Sequence, residues 1–513
     1  MQKNHTLETV QAVCLPMLFV MAPVLYLFQL NQPDLPLKVL GKPLLISAAM
    51  GAVLFIISRL IVKQSLKASV LATLLVVALF YFGIFRDVLT AWIPNDAVFL
   101  VLWMALVMLG IIVLLRTSAV GNISRFLLAM AGIMVSLSML KIALYGIQNP
   151  AVDASDPRLW STSLEVPVLA SDTSLPDIYY IVPDDYARTD ILREQLGFDN
   201  LQFIQELERR GFVIAEQSRS PYSDSESNMA SALNLEYLSG FGNVLGETSD
   251  NALIVTQVLA DNRASHFLEA LGYRYIHIDS DNTTYPGDNP SISPIAAPDN
   301  FTYFWLRGTI LMTFGGQFGF NQESSDERFS RSVLEAFDRL NAMPEALGPK
   351  FVFFHTLIPH DPYVFGPQGE RVTFANPSDE RLGSPEGVAY YVGQLRFSSQ
   401  LLLRSIDQIL AASKTPPIII IESDEGFQSN PDNFGEEQMR DIRVKGLSAF
   451  YLPGADTSSL PQDHNTVNTF RYLFDLYFGT HIGMLKNTSY AEGDYLYQPI
   501  EIHVLGDPTS QTP

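Results

Sequence analysis

The chain has 513 residues, of which 48% are hydrophobic, and a formal net charge of −21 at pH 7. This length excludes a single small domain, and the acidic balance argues against a nucleic-acid-binding protein, because phosphate backbones repel acidic surfaces. The single cysteine, Cys14, excludes a disulfide framework or a cysteine-based zinc site within one chain.

Charge and hydropathy divide the chain near residue 147. Residues 1–147 contain ten Lys/Arg and four Asp/Glu, whereas residues 148–513 contain 23 and 50. The first part has five apolar stretches, at 9–30, 43–62, 68–85, 97–115 and 126–147. Each is close to the roughly 20 residues that cross a bilayer core. Because these stretches are apolar on all sides, they predict five membrane-spanning helices and not the core of a soluble protein.

The predicted loops differ in basic residues. Six basic residues fall on one side of the membrane: Lys3, Arg59, Lys63, Lys67, Arg116 and Arg125. The positive-inside rule therefore predicts a cytoplasmic N-terminus in an inner or cytoplasmic membrane. Five spans then place everything after residue 147 on the periplasmic or extracellular side. No acidic residue lies inside a span, which disfavours a transport function.

The rest of the chain predicts a linker and an α/β domain. Residues 148–176 are rich in Pro, Ser and Asp and are typical of a linker, and residues 177–513 form the predicted exterior domain. Apolar stretches typical of buried strands lie at 178–182, 273–278, 351–357, 418–422 and 447–452. Helical periodicity lies between them, at 189–210, 252–271, 326–342, 388–412 and 466–478. This alternation predicts a mainly parallel sheet with ligands at the carboxyl ends of its strands.

Polar residues follow three of the predicted strands. Asp184 and Asp185 come after the first strand, Asp424 and Glu425 come after the fourth, and His360 follows the third. Each acid alone is typical of a turn or a helix cap. Since three strand ends of one parallel sheet carry metal-compatible groups, the sequence predicts a metal site there.

Ser225 lies at the entrance of a further predicted helix, in the segment SRSPYSDSESNMASALNLEYL at 218–238. A hydroxyl at this position is typical of an N-cap. The same position lets backbone N–H groups and the helix dipole stabilise an anionic nucleophile or a bound phosphate. A neighbouring metal would favour the second interpretation, because coordination lowers the hydroxyl pKa.

Together these motifs resemble the alkaline phosphatase and sulfatase superfamily, especially membrane-anchored branches such as lipoteichoic acid synthases and phosphoethanolamine transferases. Those relatives also have five spans before an exterior catalytic domain. The resemblance covers about residues 176–480 and is strongest at IVPDDYAR, SRSPYSDSESNMASALNLEYL, HTLIPHDPY, IIIIESDEG and NTVNTFRYLFDLYFG. It implies a three-layer α/β exterior domain.

The resemblance also implies roles for individual residues. Asp184 and Asp424 match metal-binding acids, and Ser225 matches the nucleophile that shares the metal. His360 matches the histidine that faces the substrate phosphate or a second metal. Glu425 completes the predicted metal site but departs from the family, which usually has His at this position in phosphoryl-transferring members and often Asn in sulfatases.

The predicted site carries excess negative charge. The four acids after the first and fourth strands could together carry −4 and would repel a phosphate ester. Protonation, a second cation, or the nearby Arg219 and Arg471 could offset this, and we assign Asp185 and Arg219 with His360 to the substrate or a second metal. Arg471 is otherwise expected to be structural.

The predicted donors also indicate a metal. Carboxylates and a hydroxyl are hard oxygen ligands that suit Mn²⁺ or Mg²⁺, with Ca²⁺ as an alternative and Zn²⁺ less suited, because position 425 lacks a His. His355 and His464 are expected to be structural and lie outside this ligand set.

The predicted function is a membrane-anchored, metal-dependent phosphoryl-transfer enzyme that acts on envelope phosphoesters through Ser225. Hydrolysis and phosphoethanolamine- or phosphoglycerol-type transfer both remain open, because water or an alcohol can resolve the same phospho-enzyme. A sulfatase-type hydrolase is an alternative that the missing C/S-x-P-x-R spacing disfavours. A degenerate domain that binds a partner or glycan without turnover is a second alternative, which Glu425 favours.

Overall fold

The computed structural model describes residues 2–170, 175–280, 300–310, 324–372, 384–428 and 435–502. Residues 171–174 of the predicted linker and 503–513 of the predicted exterior domain lie outside the described residues. The chain divides into two compact units. We call Met1–Ala151 with Ala296–Glu323 the helical unit, and Val152–Ile295 with Ser324–Pro513 the α/β unit.

Long apolar helices build the N-terminal part of the helical unit. They are α1 (Gln2–Leu30), α2 (Gly41–Ile61), α3 (Ser65–Phe80), α4 (Phe82–Leu89), α5 (Asp96–Arg116) and α6 (Val120–Gln148). Within the described residues, four segments are long and apolar enough to cross a membrane: Glu8–Leu30, Leu37–Ile61, Asp96–Arg116 and Val120–Gln148. Helices α3 and α4 pass this test only as a pair, bent by 54°. The described chain therefore has four candidate spans, or five if the bent pair is one span.

A mixed six-stranded sheet forms the centre of the α/β unit. Its strands are β1 (Ile178–Pro183), β2 (Val213–Ile214), β3 (Arg274–Asp279), β4 (Lys350–Thr356), β5 (Ile418–Glu422) and β6 (Ser448–Tyr451), in the spatial order β2-β6-β5-β1-β4-β3. Neighbouring strands from β5 to β3 are parallel, and β6 is antiparallel to both β5 and β2. A short hairpin of β7 (Tyr490–Ala491) and β8 (Ile500–Glu501) lies near the C-terminus.

Helices of the α/β unit follow the predicted pattern with two breaks. They are α7 (Thr189–Leu196), α8 (Leu201–Arg209), α9 (Ser225–Asn234), α10 (Phe241–Leu245), α11 (Leu253–Ala260), α12 (Arg263–Ala270), α14 (Ser325–Ala342), α15 (Pro385–Ala412), α16 (Glu436–Arg443) and α17 (Thr469–Phe478), while α13 (Asn300–Arg307) belongs to the helical unit. The predicted helix at 189–210 is interrupted because Gly197 takes a left-handed φ of 62° and ends α7. The predicted helix at 252–271 is interrupted because the Asn262 side chain caps α12.

Both faces of the sheet are covered by helices. Tyr180 and Phe353 point into a core that includes residues of α9, α11, α12 and α17. Tyr179 and Phe354 point into a second core with residues of α7, α8, α14 and α15. Because alternate residues of each central strand are buried on opposite faces, most positions of these strands are apolar, and each large apolar side chain contributes roughly 1.5–3 kcal/mol. Polar side chains are therefore expected at the strand ends.

The described residues 300–310 belong to the helical unit, although they lie in sequence between β3 and α14. The Trp305 ring of α13 is buried and stacks on Phe80 with ring centroids 5.6 Å apart. The backbone N–H of Gly83 donates a hydrogen bond of 2.9 Å to the carbonyl of Gly308. A Cβ at position 83 would lie 2.5 Å from that carbonyl oxygen, so this contact requires glycine. The sequence does not predict this grouping.

Candidate active site

The carboxyl ends of β1, β4 and β5 meet at one edge of the sheet, because the three strands are parallel and adjacent. Directly after β1, the backbone N–H of Asp184 donates to the carbonyl of Thr356 at 2.9 Å. The N–H of His360 in turn donates to the carbonyl of Asp184 at 3.2 Å. These bonds fix the loops after β1 and β4 against each other.

Two groups of side chains at this edge could hold a metal ion. Asp184, His360 and Glu425 form one group, and Asp184, His355 and Asp424 form the other. Within each group the candidate ligand atoms lie within 4.8 Å of one another. The structure thus brings together the acids that follow β1 and β5, and Asp184 belongs to both groups.

Buried atoms without hydrogen bonds indicate that a cation fits this site. Asp184 Oδ1, Asp424 Oδ2 and both ring nitrogens of His355 are buried and make no hydrogen bond within the described part of the chain. His355 Nε2 lies 3.7 Å from Asp424 Oδ2, which is too long for a hydrogen bond. An unsatisfied buried polar group costs about 1–3 kcal/mol. Since one ligand atom each of Asp184, His355 and Asp424 lies within 4.8 Å of the others, a divalent ion would satisfy several of these atoms at once.

His355 lies between two carboxylates, which the sequence does not predict. Its Nδ1 is 3.6 Å from Asp279 Oδ2, and β3 and β4 pair these two residues in register. Burial disfavours the charged imidazole, but the charges of Asp279 and Asp424 outweigh it and raise the pKa of His355 well above its ordinary value. The sequence expectation of a purely structural His355 therefore overlooks Asp279, whose position at the end of β3 was the available signal.

Burial shifts the acids of the site toward their neutral forms. Burial, followed by the charge of Asp424, raises the pKa of Asp184 well above its ordinary value. Burial also raises the pKa of Glu425 to about 8, against the lowering effect of Arg443. The carboxyl groups are thus crowded, and a bound cation would favour their ionised forms.

Asp185 is held in a left-handed conformation, with a φ of 62°. The Tyr391 hydroxyl donates to its carbonyl at 2.8 Å, and the backbone N–H of Gln428 donates to Asp185 Oδ1 at 2.9 Å. Burial raises the pKa of Asp185 to about 7. Asp185 is buried beside Asp184 but belongs to neither candidate metal group.

Ser225 is the first residue of α9, and its hydroxyl does not cap the helix. Asp224 is the N-cap, since its carboxylate accepts a hydrogen bond of 2.8 Å from the N–H of Ser227. The N-cap interpretation of Ser225 is therefore wrong. The Ser225 hydroxyl instead lies 3.5 Å from Glu425 Oε1, at the positive end of the α9 dipole.

His360 lies between two cis peptide bonds, Ile358–Pro359 and Asp361–Pro362. Its Nδ1 is 2.7 Å from Asp361 Oδ1. Burial disfavours the imidazolium, but the hydrogen bond with Asp361 and the charges of Asp184 and Asp185 raise the pKa of His360 to about 11. In the metal-free protein His360 is thus a cation beside Asp184.

The two arginines expected to balance the acids are engaged elsewhere. Arg219 forms a salt bridge of 2.5 Å with the buried Asp441. Arg471 donates to backbone carbonyls, two of them at 2.7 Å. Arg443, which no sequence motif singles out, instead lies at the site, with its Nε 2.9 Å from Glu425 Oε2.

A cavity of about 200 Å³ adjoins the N-terminus of α9. Tyr222 and Asp224 line it from the segment before the helix, and Tyr490 and Glu492 line it from the C-terminal hairpin. The rings of Tyr222 and Tyr490 stack with centroids 5.7 Å apart. The cavity therefore combines aromatic and acidic walls next to the chain segment that carries Ser225.

No family model and no curated protein matches the chain. Among solved structures, the chain is similar to the C-terminal periplasmic domain of EptC from Escherichia coli in complex with Zn, with 12% identity, a TM-score of 0.41, and 66% of this chain and 97% of that chain covered. It is also similar to the integral membrane protein lipooligosaccharide phosphoethanolamine transferase A from Neisseria meningitidis, with 13% identity, a TM-score of 0.37, and 91% and 95% covered.

The similar structures are phosphoethanolamine transferases and sulfatases. These are the kinds of protein that the sequence motifs resemble. With 12–14% identity and TM-scores of 0.35–0.41, the similarities assign no function to the chain.

The geometry by itself supports nucleophilic chemistry at a charged ester. The site combines the half-buried hydroxyl of Ser225 at the N-terminus of α9 with a buried set of carboxylates and imidazoles that fits a cation. The guanidinium of Arg443 binds one of those carboxyls, that of Glu425. A divalent ion bound there would lower the pKa of the hydroxyl and polarise a phosphoryl oxygen.

Proposed function

We propose that the chain is a membrane-anchored, metal-dependent phosphoryl-transfer enzyme that acts on envelope phosphoesters with Ser225 as its nucleophile. The position of Ser225 carries the proposal: its hydroxyl lies at the start of α9, 3.5 Å from Glu425, which belongs to a candidate metal group with Asp184. A hydroxyl at a helix N-terminus that contacts a cation-binding carboxyl is suited to attack on phosphorus.

The reaction proceeds in two steps. In the first, Ser225 Oγ forms a bond to phosphorus while the bond from phosphorus to the leaving alcohol breaks. The proton of the Ser225 hydroxyl passes to that alcohol. Water or an acceptor alcohol then attacks the phosphoserine, and the Oγ–P bond breaks to restore the hydroxyl. Water gives a hydrolase, and an alcohol gives a transferase of the phosphoethanolamine or phosphoglycerol type.

The proposed roles follow the positions of the side chains. Asp184, Ser225, Asp424 and Glu425 hold the metal, as the sequence predicts, and His355 joins them because its ring nitrogens have no hydrogen bond in the described residues. His360 faces the substrate phosphate as a cation beside Asp184, or a second metal once its ring is deprotonated.

The proposed metal is Mn²⁺ or Zn²⁺. The sequence preference for Mn²⁺ or Mg²⁺ rested on oxygen donors and on the absence of a His at position 425. The two candidate groups each include one imidazole, from His355 or His360. Imidazole suits Zn²⁺ and carboxylates suit Mn²⁺, so the ground for disfavouring Zn²⁺ is removed.

The proposed location is the inner or cytoplasmic membrane, with five spans that count the bent pair α3–α4 as one. The N-terminus is then cytoplasmic and the α/β unit lies outside. A membrane anchor suits a lipid-borne or polymer-borne phosphoester, and the cavity beside α9 has room for a small polar head group.

Hydrolysis of a generic phosphodiester, bis(p-nitrophenyl) phosphate, tests this function with the full chain in detergent. Ser225→Ala is expected to lower kcat by at least about a thousandfold, because it removes the nucleophile. Ser223→Ala, in the same loop, is the matched control and is expected to keep wild-type activity. Turnover that survives Ser225→Ala would contradict the proposed nucleophile.

The second candidate is a domain that binds a partner or glycan without turnover, which the Glu at position 425 favours. Wild-type protein that binds neither Mn²⁺ nor Zn²⁺ and turns over no ester would support it. A phosphate monoester and a sulfate ester assayed in parallel separate a plain phosphatase or sulfatase-type hydrolase from the phosphodiester reaction.

A further inference from the structure

Arg443 ends α16, and its guanidinium is attached to the site by one side only. Nε lies 2.9 Å from Glu425 Oε2, and Nη2 lies 3.4 Å from Glu425 Oε1. Nη1 makes no hydrogen bond in the described parts of the chain. The Arg443 side chain is 33% exposed, whereas that of Glu425 is 2% exposed. A planar guanidinium held in this way keeps N–H donors available for a ligand.

The backbone fixes this arrangement. The N–H of Gly426 donates a hydrogen bond of 2.6 Å to the carbonyl of Arg443. A Cβ at position 426 would lie 2.5 Å from the carbonyl oxygen of Ile442. Only glycine therefore lets the end of α16 pack against the loop after β5, where Glu425 is located.

Arg443 and the nucleophile share one neighbour. Glu425 Oε1 lies 3.5 Å from Ser225 Oγ and 3.4 Å from Arg443 Nη2. A phosphoryl group bound to Ser225 would therefore lie within reach of the guanidinium. The negative charges of Asp185 and Glu492 also raise the pKa of Arg443. The guanidinium therefore lies among the acids that would otherwise repel a phosphate.

We propose that Arg443 binds the phosphoryl oxygens of the substrate and that Glu425 orients it for this purpose. This inference rests on the proposed phosphoryl-transfer function and names the residue that recognises its phosphate. It also gives Glu425, the departure from the family pattern, a second role: its carboxyl belongs to a candidate metal group, and both of its oxygens hold the guanidinium. Arg and phosphate form short charge-assisted hydrogen bonds, which favour this pairing.

Binding of inorganic phosphate to the full chain in detergent, saturated with Mn²⁺ or with Zn²⁺, tests the inference by titration calorimetry. Arg443→Gln is expected to weaken phosphate binding by about ten- to a hundredfold, because it removes charge-assisted hydrogen bonds. The bound metal is expected to stay at the wild-type level, since Arg443 is not a ligand. Arg440→Gln is the matched control on the same helix, where Arg440 pairs with the exposed Glu436.

Arg443→Lys covers the case in which Arg443→Gln does not fold. Lysine keeps the charge but not the planar fork, so intermediate phosphate binding is expected. The inference would be overturned if Arg443→Gln or Arg443→Lys bound phosphate as tightly as the Arg440→Gln control. It would also be overturned if wild-type protein failed to bind phosphate both when loaded with Mn²⁺ and when loaded with Zn²⁺.

Turnover of bis(p-nitrophenyl) phosphate by the same wild-type protein separates this inference from the proposed function. Arg443-dependent phosphate binding by wild-type protein that shows no turnover would refute the enzyme but keep the role of Arg443. Turnover with Arg443-independent phosphate binding would refute only the role of Arg443.

Discussion

His355 has two carboxylates as neighbours at the carboxyl end of β4. Asp279 faces its Nδ1 and Asp424 faces its Nε2, both at distances longer than a hydrogen bond. A carboxylate behind an imidazole is the usual arrangement that orients a histidine toward a metal. His355 therefore belongs with the proposed ligands, and Asp279 is its positioning residue.

His355→Asn is expected to weaken Mn²⁺ or Zn²⁺ binding by at least about tenfold, because it removes an imidazole donor from the buried group. Titration calorimetry on the full chain measures this. The control is His266→Asn, since His266 lies on α12 and is exposed beside Asp261. Equal metal affinity of the two variants would show that His355 is structural.

Part of the site could be predicted because its residues interrupt an apolar pattern. Asp184 comes directly after β1, and Asp424 lies two residues after Glu422, which ends the isoleucine-rich β5, so their position at the sheet edge is readable. His355 could not be distinguished from a core histidine, because it lies inside such a strand and only the neighbouring β3 supplies Asp279. Arg443 was not predictable, since its position depends on how α16 returns to the loop after β5.

Helix α15 holds the loop that carries His360 through one buried side chain. Gln394 is fully buried, and its Oε1 accepts from the backbone N–H groups of Val364 and Phe365 at 2.9 and 3.1 Å. Its Nε2 donates to the carbonyl of His360 at 2.7 Å. One amide thus satisfies several backbone groups that the loop cannot pair by itself.

Gln394→Leu is expected to lower the free energy of unfolding by about 2–4 kcal/mol, because it leaves these buried backbone groups without partners. The midpoint of thermal unfolding in detergent is the readout, and phosphodiester turnover should fall as the His360 loop shifts. Gln400→Leu on the same helix is the matched control, since Gln400 is half-buried and, among the described residues, donates to the carbonyl of Pro367 alone. A Gln394→Leu midpoint no lower than that control would contradict this role.

The order of strands and helices was readable from the sequence, but several boundaries were not. Period-two and apolar patterns located β1, β3, β4, β5 and β6. The breaks after Leu196 and at Asn262 depend on local capping within otherwise continuous helical periodicity. The two-residue strand β2 is too short to give a pattern, and its pairing with β6 is a tertiary contact.

Across the whole chain, the basic N-terminal part and the acidic remainder indicate two environments. The α3–α4 pair decides whether the chain has four or five spans, because its two helices are bent by 54°. An odd number places the ends of the helical part on opposite sides of the membrane, as the basic loops predict. The α/β unit then faces the outside.

Labelling of single cysteines in spheroplasts tests this orientation. Cys14, the only native cysteine, is first replaced by serine. With five spans, a membrane-impermeant maleimide should label Glu165→Cys in intact spheroplasts but Ser118→Cys only after permeabilisation. The reverse pattern would mean that the bent pair does not cross the membrane.

A covalent phosphoryl adduct on Ser225 is the central prediction of the proposed function. The metal-loaded full chain is mixed with phospholipid vesicles made from phosphatidylethanolamine and phosphatidylglycerol, quenched in acid, digested and analysed by mass spectrometry. We expect a phosphoryl head-group adduct on the peptide that contains residues 218–238, with the modified site at Ser225, and no adduct in Ser225→Ala. Ester turnover without this adduct, or an adduct that persists in Ser225→Ala, would contradict the account.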